Sequence, residues 1–92
     1  MLDKDILNEA IFFYGTKNQI TKAVEEMSEL QKELCKYLIA TNTGDYSYPH
    51  IAEEIADVEI MVEQLKIIFR NEAEVKKMKE FKLKRLWDSI EL

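Results

Sequence analysis

The sequence predicts an all-α fold, and three observations carry the prediction. Two glycines and one proline in 92 residues leave little turn chemistry. Apolar residues recur at three- and four-residue spacing through two long central segments. The turn-forming residues that do occur are concentrated at a few breaks, chiefly Thr41 to His50. A chain of this length predicts a single domain, 1–92, and a helical chain this short often gains stability by pairing with a copy of itself.

Four helices follow, over residues 4–14, 17–41, 50–71 and 73–90. The first ends at "YGT", Tyr14 to Thr16, where Thr16 followed by Gln19 reads as a capping box opening the second. The second runs to the loop "TNTGDYSYPH", and Pro49 suits the first turn of the third. Asn71 with Glu74 is another candidate capping box, opening the fourth. Two long helices joined by one loop predict an antiparallel hairpin core, here packed in an oligomeric bundle.

The net charge of −5 argues against a generic nucleic-acid or membrane-surface binder, because an acidic surface repels polyphosphate. One cysteine, Cys35, excludes an intrachain disulfide and fits a reducing compartment. Its place within the helical core strip predicts a small buried hydrophobe. The N-terminus is acidic early and lacks a signal-peptide pattern, and no stretch approaches the roughly 18–20 apolar residues of a membrane span. A cytoplasmic protein is expected.

The chemistry-bearing residues are carboxylates. On the first long helix Ile20, Val24, Met27, Leu30, Leu34 and Leu38 share one face at about 100° per residue. Glu26, Glu29 and Glu33 lie on the strip beside it, and Glu25 projects toward water. On the second, Ile51, Ile55, Val58, Val62, Leu65 and Phe69 form the main apolar face. Glu54 falls inside that arc, Asp57 at its border, and Glu53 points elsewhere. Each helix therefore carries an acid pair one turn apart, Glu26 with Glu29 and Glu54 with Asp57. A carboxylate on a packing face is costly unless paired or bound to metal. Lys22 and Lys32 could pair with the first helix's acids. Antiparallel packing would bring the two pairs together, and a hard divalent cation with all-oxygen ligands is the natural compensation. Mg²⁺ fits that role, and Mn²⁺ could substitute. The only histidine, His50, lies at a helix start, so the Glu-x-x-His pairs of di-iron bundles are absent.

"EEMSE" (25–29) followed by "EIAD" (54–57) resembles the EExxE…ExxD signature of the MazG-like all-α nucleoside triphosphate pyrophosphohydrolase family. The resemblance covers the central helices and extends more loosely to Gln19 and to the tail "KMKEFKLKRL". It implies Mg²⁺-dependent hydrolysis of a (d)NTP to (d)NMP and pyrophosphate, in nucleotide pool control or housecleaning. It carries the metal-ligand role onto Glu26, Glu29, Glu54 and Asp57, the four positions that the helical projection selects. Glu25 and Glu29 are the candidates for accepting a proton from the attacking water. The family assembles as dimers or tetramers with sites completed between chains, so a homodimer or homotetramer is expected.

Residues 76–85, "KKMKEFKLKR", set six cations against Glu80. Lys79 and Lys82 project toward the face of Val75, Met78 and Leu86. With Arg85 they are candidates to bind the triphosphate and stabilise departing pyrophosphate, although lysine stems also cover apolar surface without a ligand. Gln19 is the candidate for base recognition, with Asn18 and several aromatics, among them Tyr46 and Tyr48, as further options. Ala56, Ile60 and Ile67 give the third helix a second apolar side, which either a second subunit or the first or last helix could cover. The competing reading of the whole chain is a non-catalytic acidic helical dimer acting as an interaction or regulatory protein.

Overall fold

The computed structural model describes residues 3–44 and 50–91, with the backbone alone at 41–43. All regular structure among them is helical: α1 (Asp3–Tyr14), α2 (Thr16–Thr43), α3 (Ile51–Phe69) and α4 (Glu72–Ile90). Residues 45–49, and with them Pro49, Tyr46 and Tyr48, lie outside the described residues.

Backbone chemistry sets the helix ends. Gly15 holds φ 94° and ψ 147°, a region reserved for glycine, and this lets α1 pass directly into α2. Gly15, not Thr16, occupies the cap position, and no side chain caps α2 there, so the expected Thr16–Gln19 box does not form. Gly44 closes α2 in the left-handed conformation, its N–H donating to Ala40 O. The third helix stops two residues short of the expected end. Arg70 turns left-handed at φ 52°, and the N–H groups of Arg70 and Asn71 close back on the carbonyls of Ile67 and Lys66. Asn71 does occupy the cap of α4, but its side chain makes no capping bond and its Oδ1 is buried without a partner.

α2 packs chiefly on α3, α1 lies against both, and α4 meets α3 near its start. The α2–α3 seam is narrow. On α2 the less exposed positions are Gln19, Ala23, Glu26, Leu30, Glu33 and Tyr37, spaced alternately by four and three. On α3 they include Glu54, Asp57, Met61, Gln64 and Ile68. Ala23 and Met61 are buried in this seam, and the small alanine side chain suits close helix packing. Beside them Gln19 Nε2 donates to Gln64 Oε1 at 2.7 Å, and Gln64 Nε2 reaches Met61 Sδ at 3.7 Å. Both glutamines are buried, so their bond ties the helices at one register.

Much of the apolar strips that the sequence sets at the hairpin core lies beside this seam and is exposed, although Ile20, Leu30, Ile51, Val58 and Leu65 are half-buried. Val24 is 60% exposed, Leu38 63% and Phe69 58%. The second apolar side of α3 is met within the chain: Ile6 and Leu7 of α1 line a depression with Ala56 and Ile60, and Ile67 lies near Ala73 of α4. Cys35 is exposed, which corrects the expectation of a buried thiol: it lies a quarter-turn or more from the seam. From Lys76 onward every described residue of α4 is exposed, Trp87 included. The radius of gyration, 16.6 Å, exceeds the roughly 12 Å of a compact domain of this length.

Two outcomes test this description. Gly15→Ala introduces no clash, since nothing lies within 4 Å of the added carbon. Its cost is backbone strain alone, about 1–3 kcal/mol, measurable by denaturant unfolding. Gln64→Leu strands the buried Gln19 amide and costs about 1–3 kcal/mol. Adding Gln19→Leu recovers most of that loss, and a double-mutant cycle with no coupling contradicts the bond.

Candidate metal centre in the helix seam

Seam geometry decides which carboxylates meet. Glu26 follows Gln19 and Ala23 by successive steps along α2. Asp57 and Glu54 precede Met61 by one and two turns along α3. Carboxylate oxygens of Glu26, Glu54 and Asp57 all lie within 4.8 Å of one another, and all three residues are half-buried. Lys22 Nζ sits 3.1 Å from Glu26 Oε1, the predicted i,i+4 pair. Glu54 Oε2 is buried with no hydrogen-bond partner.

Three negative groups with one nearby cation perturb one another. Burial pushes the Glu54 carboxyl above its ordinary range, and the charges of Asp57, Glu26, Glu29 and Glu53 add to the shift. Asp57 is raised first by burial, then by the Glu26 charge and by a hydrogen bond in which the protonated Asp57 carboxyl donates to Glu26; Lys22 opposes the shift. Lys22 is raised in turn by its hydrogen bond to Glu26 and by the Glu26 charge. Burial and mutual repulsion thus favour the protonated forms of Glu54 and Asp57 relative to isolated carboxyls.

The other sequence candidates fall at different distances from this cluster. Glu29, one turn from Glu26, is exposed and outside the close set, but its charge acts on Glu54. Glu25 is exposed, as its outward projection predicts, and acts on Lys22. Glu53 is turned away, 3.8 Å from His50 Nδ1 at the cap of α3. Gln19 is buried with its amide engaged by Gln64. No described contact joins Lys79, Lys82 or Arg85 to the cluster. Lys79 shares a depression with Lys66, about 13 Å along α3 from Asp57, and the Arg85 guanidinium lies over the Phe81 ring at 5.9 Å. Gln64 is the site neighbour that the sequence reading passes over, although its spacing of seven from Asp57 marks it as a seam position.

The donor set is chemically uniform: three carboxylates, with no sulfur or imidazole. An oxygen-only set of this charge suits a hard divalent cation, and the orphaned Glu54 Oε2 is an acceptor in want of a positive partner. No helix among the described residues is long and apolar enough to cross a membrane. No known family model, curated protein or solved structure matches the chain.

The raised carboxyls fix the sign of a pH effect. A carboxyl whose folded pKa exceeds its unfolded value favours the fold at low pH, and that contribution is lost as pH rises through the folded value. Metal-free protein therefore gains stability, relative to Glu54→Gln, as pH falls from 7 toward 4. At pH 7 Glu54→Gln has the higher melting temperature in chelator. Parallel pH profiles for the two proteins contradict the assigned repulsion.

Proposed function

We propose that this protein is a homo-oligomeric, Mg²⁺-dependent nucleoside triphosphate pyrophosphohydrolase, acting in nucleotide pool control or housecleaning in the cytoplasm. The observation that carries the reading is the convergence of Glu26, Glu54 and Asp57 within 4.8 Å, three of the four positions to which the EExxE…ExxD resemblance gives metal. The pairing order supports the antiparallel hairpin on which the site depends. Gln19 meets Gln64, and seven residues further along α2 Glu26 meets Asp57, seven residues earlier on α3.

Glu26, Glu54 and Asp57 would hold Mg²⁺, or Mn²⁺ in its place, with Glu29 able to join from the adjacent turn. The bound ion supplies Lewis acidity toward phosphate oxygens and toward a water. Lys22 holds Glu26 toward the cluster. Burial of the cluster strengthens its electrostatic contacts. Glu29, one turn from Glu26, and Glu25, which projects outward, are the proposed acceptors of the proton from the attacking water. Lys79, Lys82 and Arg85 carry the charge to bind a triphosphate. They lie on a helix that leaves the body, so they would serve the cluster of a neighbouring copy. Gln19 would act on the base only indirectly, by holding the seam.

The open apolar strips favour a second reading, a non-catalytic acidic helical dimer that serves as an interaction or regulatory protein. One assay separates the two. Incubated with Mg²⁺ and a panel of NTPs and dNTPs, the protein releases pyrophosphate and the matching monophosphate. Glu54→Gln lowers kcat by about 10²–10³-fold, the scale for losing one preorganised charge-stabilising group. Absence of turnover across the whole panel, with folded protein, removes the catalytic reading and leaves the other.

A further inference from the structure

The cations of this acidic chain are not evenly spread. Where the start of α1, the end of α3 and the start of α4 meet, an open cavity of about 680 Å³ is lined by Lys4, Lys66, Arg70 and Lys76. Glu72 is the one acid among its described lining residues, and Ile67 and Ala73 supply apolar wall. Four positive charges thus face one negative charge, in a protein of net charge −5. Cations gathered from three helices repel one another and weaken the junction unless an anion joins them.

The described acids answer only part of this charge. Lys66 contacts Glu63, and Lys4 Nζ lies 3.8 Å from Glu72 Oε2, with both side chains of that second pair exposed. Arg70 and Lys76 form no ion pair with any described residue. Arg70 reaches the cavity wall from an unusual backbone. It closes α3 at φ 52° and ψ 44°, where glycine is the usual residue, so a steric cost accompanies the guanidinium placed there. Ala73, also in the wall, belongs to the first turn of α4, and the cap residue Asn71 makes no side-chain hydrogen bond to that turn. The N–H groups of a helix start without a side-chain cap add positive potential to the same wall.

Size and layout say what kind of anion fits. The volume falls within the roughly 300–1,000 Å³ of small-molecule sites. Cations set around one cavity suit a compact polyanion, whereas an extended acidic peptide is met by a row of cations along one helix. Arg70 offers a planar fork and the lysines offer point charges, both suited to phosphate oxygens. Arg70 lies about 20 Å along α3 from Asp57, so the cavity is separate from the carboxylate cluster.

We propose that this three-helix junction is a second anion site, which binds the di- or triphosphate group of a small phosphate ester, or free polyphosphate, without a metal. The site goes beyond the pyrophosphohydrolase reading and does not rest on it. A bound polyphosphate neutralises cations of α1, α3 and α4 together. It therefore clamps α4, which among the described elements packs on α3 alone, to the rest of the chain.

The test titrates pyrophosphate and tripolyphosphate into the full chain in chelator, by calorimetry at low and at physiological ionic strength. One saturable site per chain is expected, with a raised melting temperature for the bound protein. Arg70→Asn with Lys76→Gln removes two cations, and asparagine accepts the left-handed backbone, so the fold is kept. That variant should bind at least about 10-fold more weakly. Glu54→Gln and Lys84→Gln should bind as wild type does. ATP run beside tripolyphosphate separates the sources: tighter binding of ATP points to a nucleotide, equal or weaker binding to the polyphosphate group alone, and either upholds the site. No saturable binding at low ionic strength overturns it, as does unchanged binding by the double variant or equal affinity for sulfate. Loss of binding in Glu54→Gln overturns it too, because the anion would then sit at the carboxylate cluster. Binding in chelator by a protein without turnover leaves this site standing and removes the catalytic reading; turnover without binding in chelator does the reverse.

Discussion

Three carboxylates held within 4.8 Å in the seam between two helices repel one another, and the rest of the arrangement bears on how that repulsion is tolerated. The same seam that gathers Glu26, Glu54 and Asp57 contains the features that oppose their separation. Ala23 and Met61 allow the helices to close, and the Gln19–Gln64 bond fixes their register two turns away from Glu26. Lys22 offsets part of the charge on Glu26, and raised carboxyl pKa values show the remainder.

That constraint also accounts for the position of the apolar residues. The polar seam leaves little apolar surface to hold the hairpin closed, so Val24, Leu34, Val62 and Phe69 remain beside it, available to a further layer. A single chain then has an extended body, a nearly uncovered α4 and an accessible surface of 7715 Å², against about 5,600 Å² for a compact monomer of 10.9 kDa. In the homo-oligomer proposed above, further apolar burial would lie between subunits, whereas the polar seam lies between helices of one chain.

Much of this is legible in the sequence. The four helices follow from the apolar period and the scarcity of breaks, with ends displaced by at most two residues. The displacement at Arg70 is a left-handed closure by a non-glycine residue, which no local residue preference announces. Cap chemistry is less legible: Gly15 and not Thr16 makes the α1–α2 turn, because its backbone takes an angle open only to glycine. Glu26, Glu54 and Asp57 could be singled out because acids at one-turn spacing on a packing face demand a reason. The seam itself was harder to see. The helical projection weights large apolar residues, and the seam is built from small, acidic and amide side chains whose pairing is a tertiary property. The exposure of Cys35 and the seam position of Gln64 escape the projection for that reason. The placement of Lys79, Lys82 and Arg85 depends on where α4 goes, and helix periodicity within α4 carries no information about that.

The most direct measurement is a Mn²⁺ titration of metal-free protein followed by the electron paramagnetic resonance of the free ion, on wild type and Glu54→Gln in parallel. The account predicts saturable binding per chain by wild type, displaced by Mg²⁺, and loss of that binding in a variant that remains fully helical. Folded wild-type protein that leaves the free Mn²⁺ signal undiminished, or a Glu54→Gln variant that binds the ion as wild type does, would contradict it.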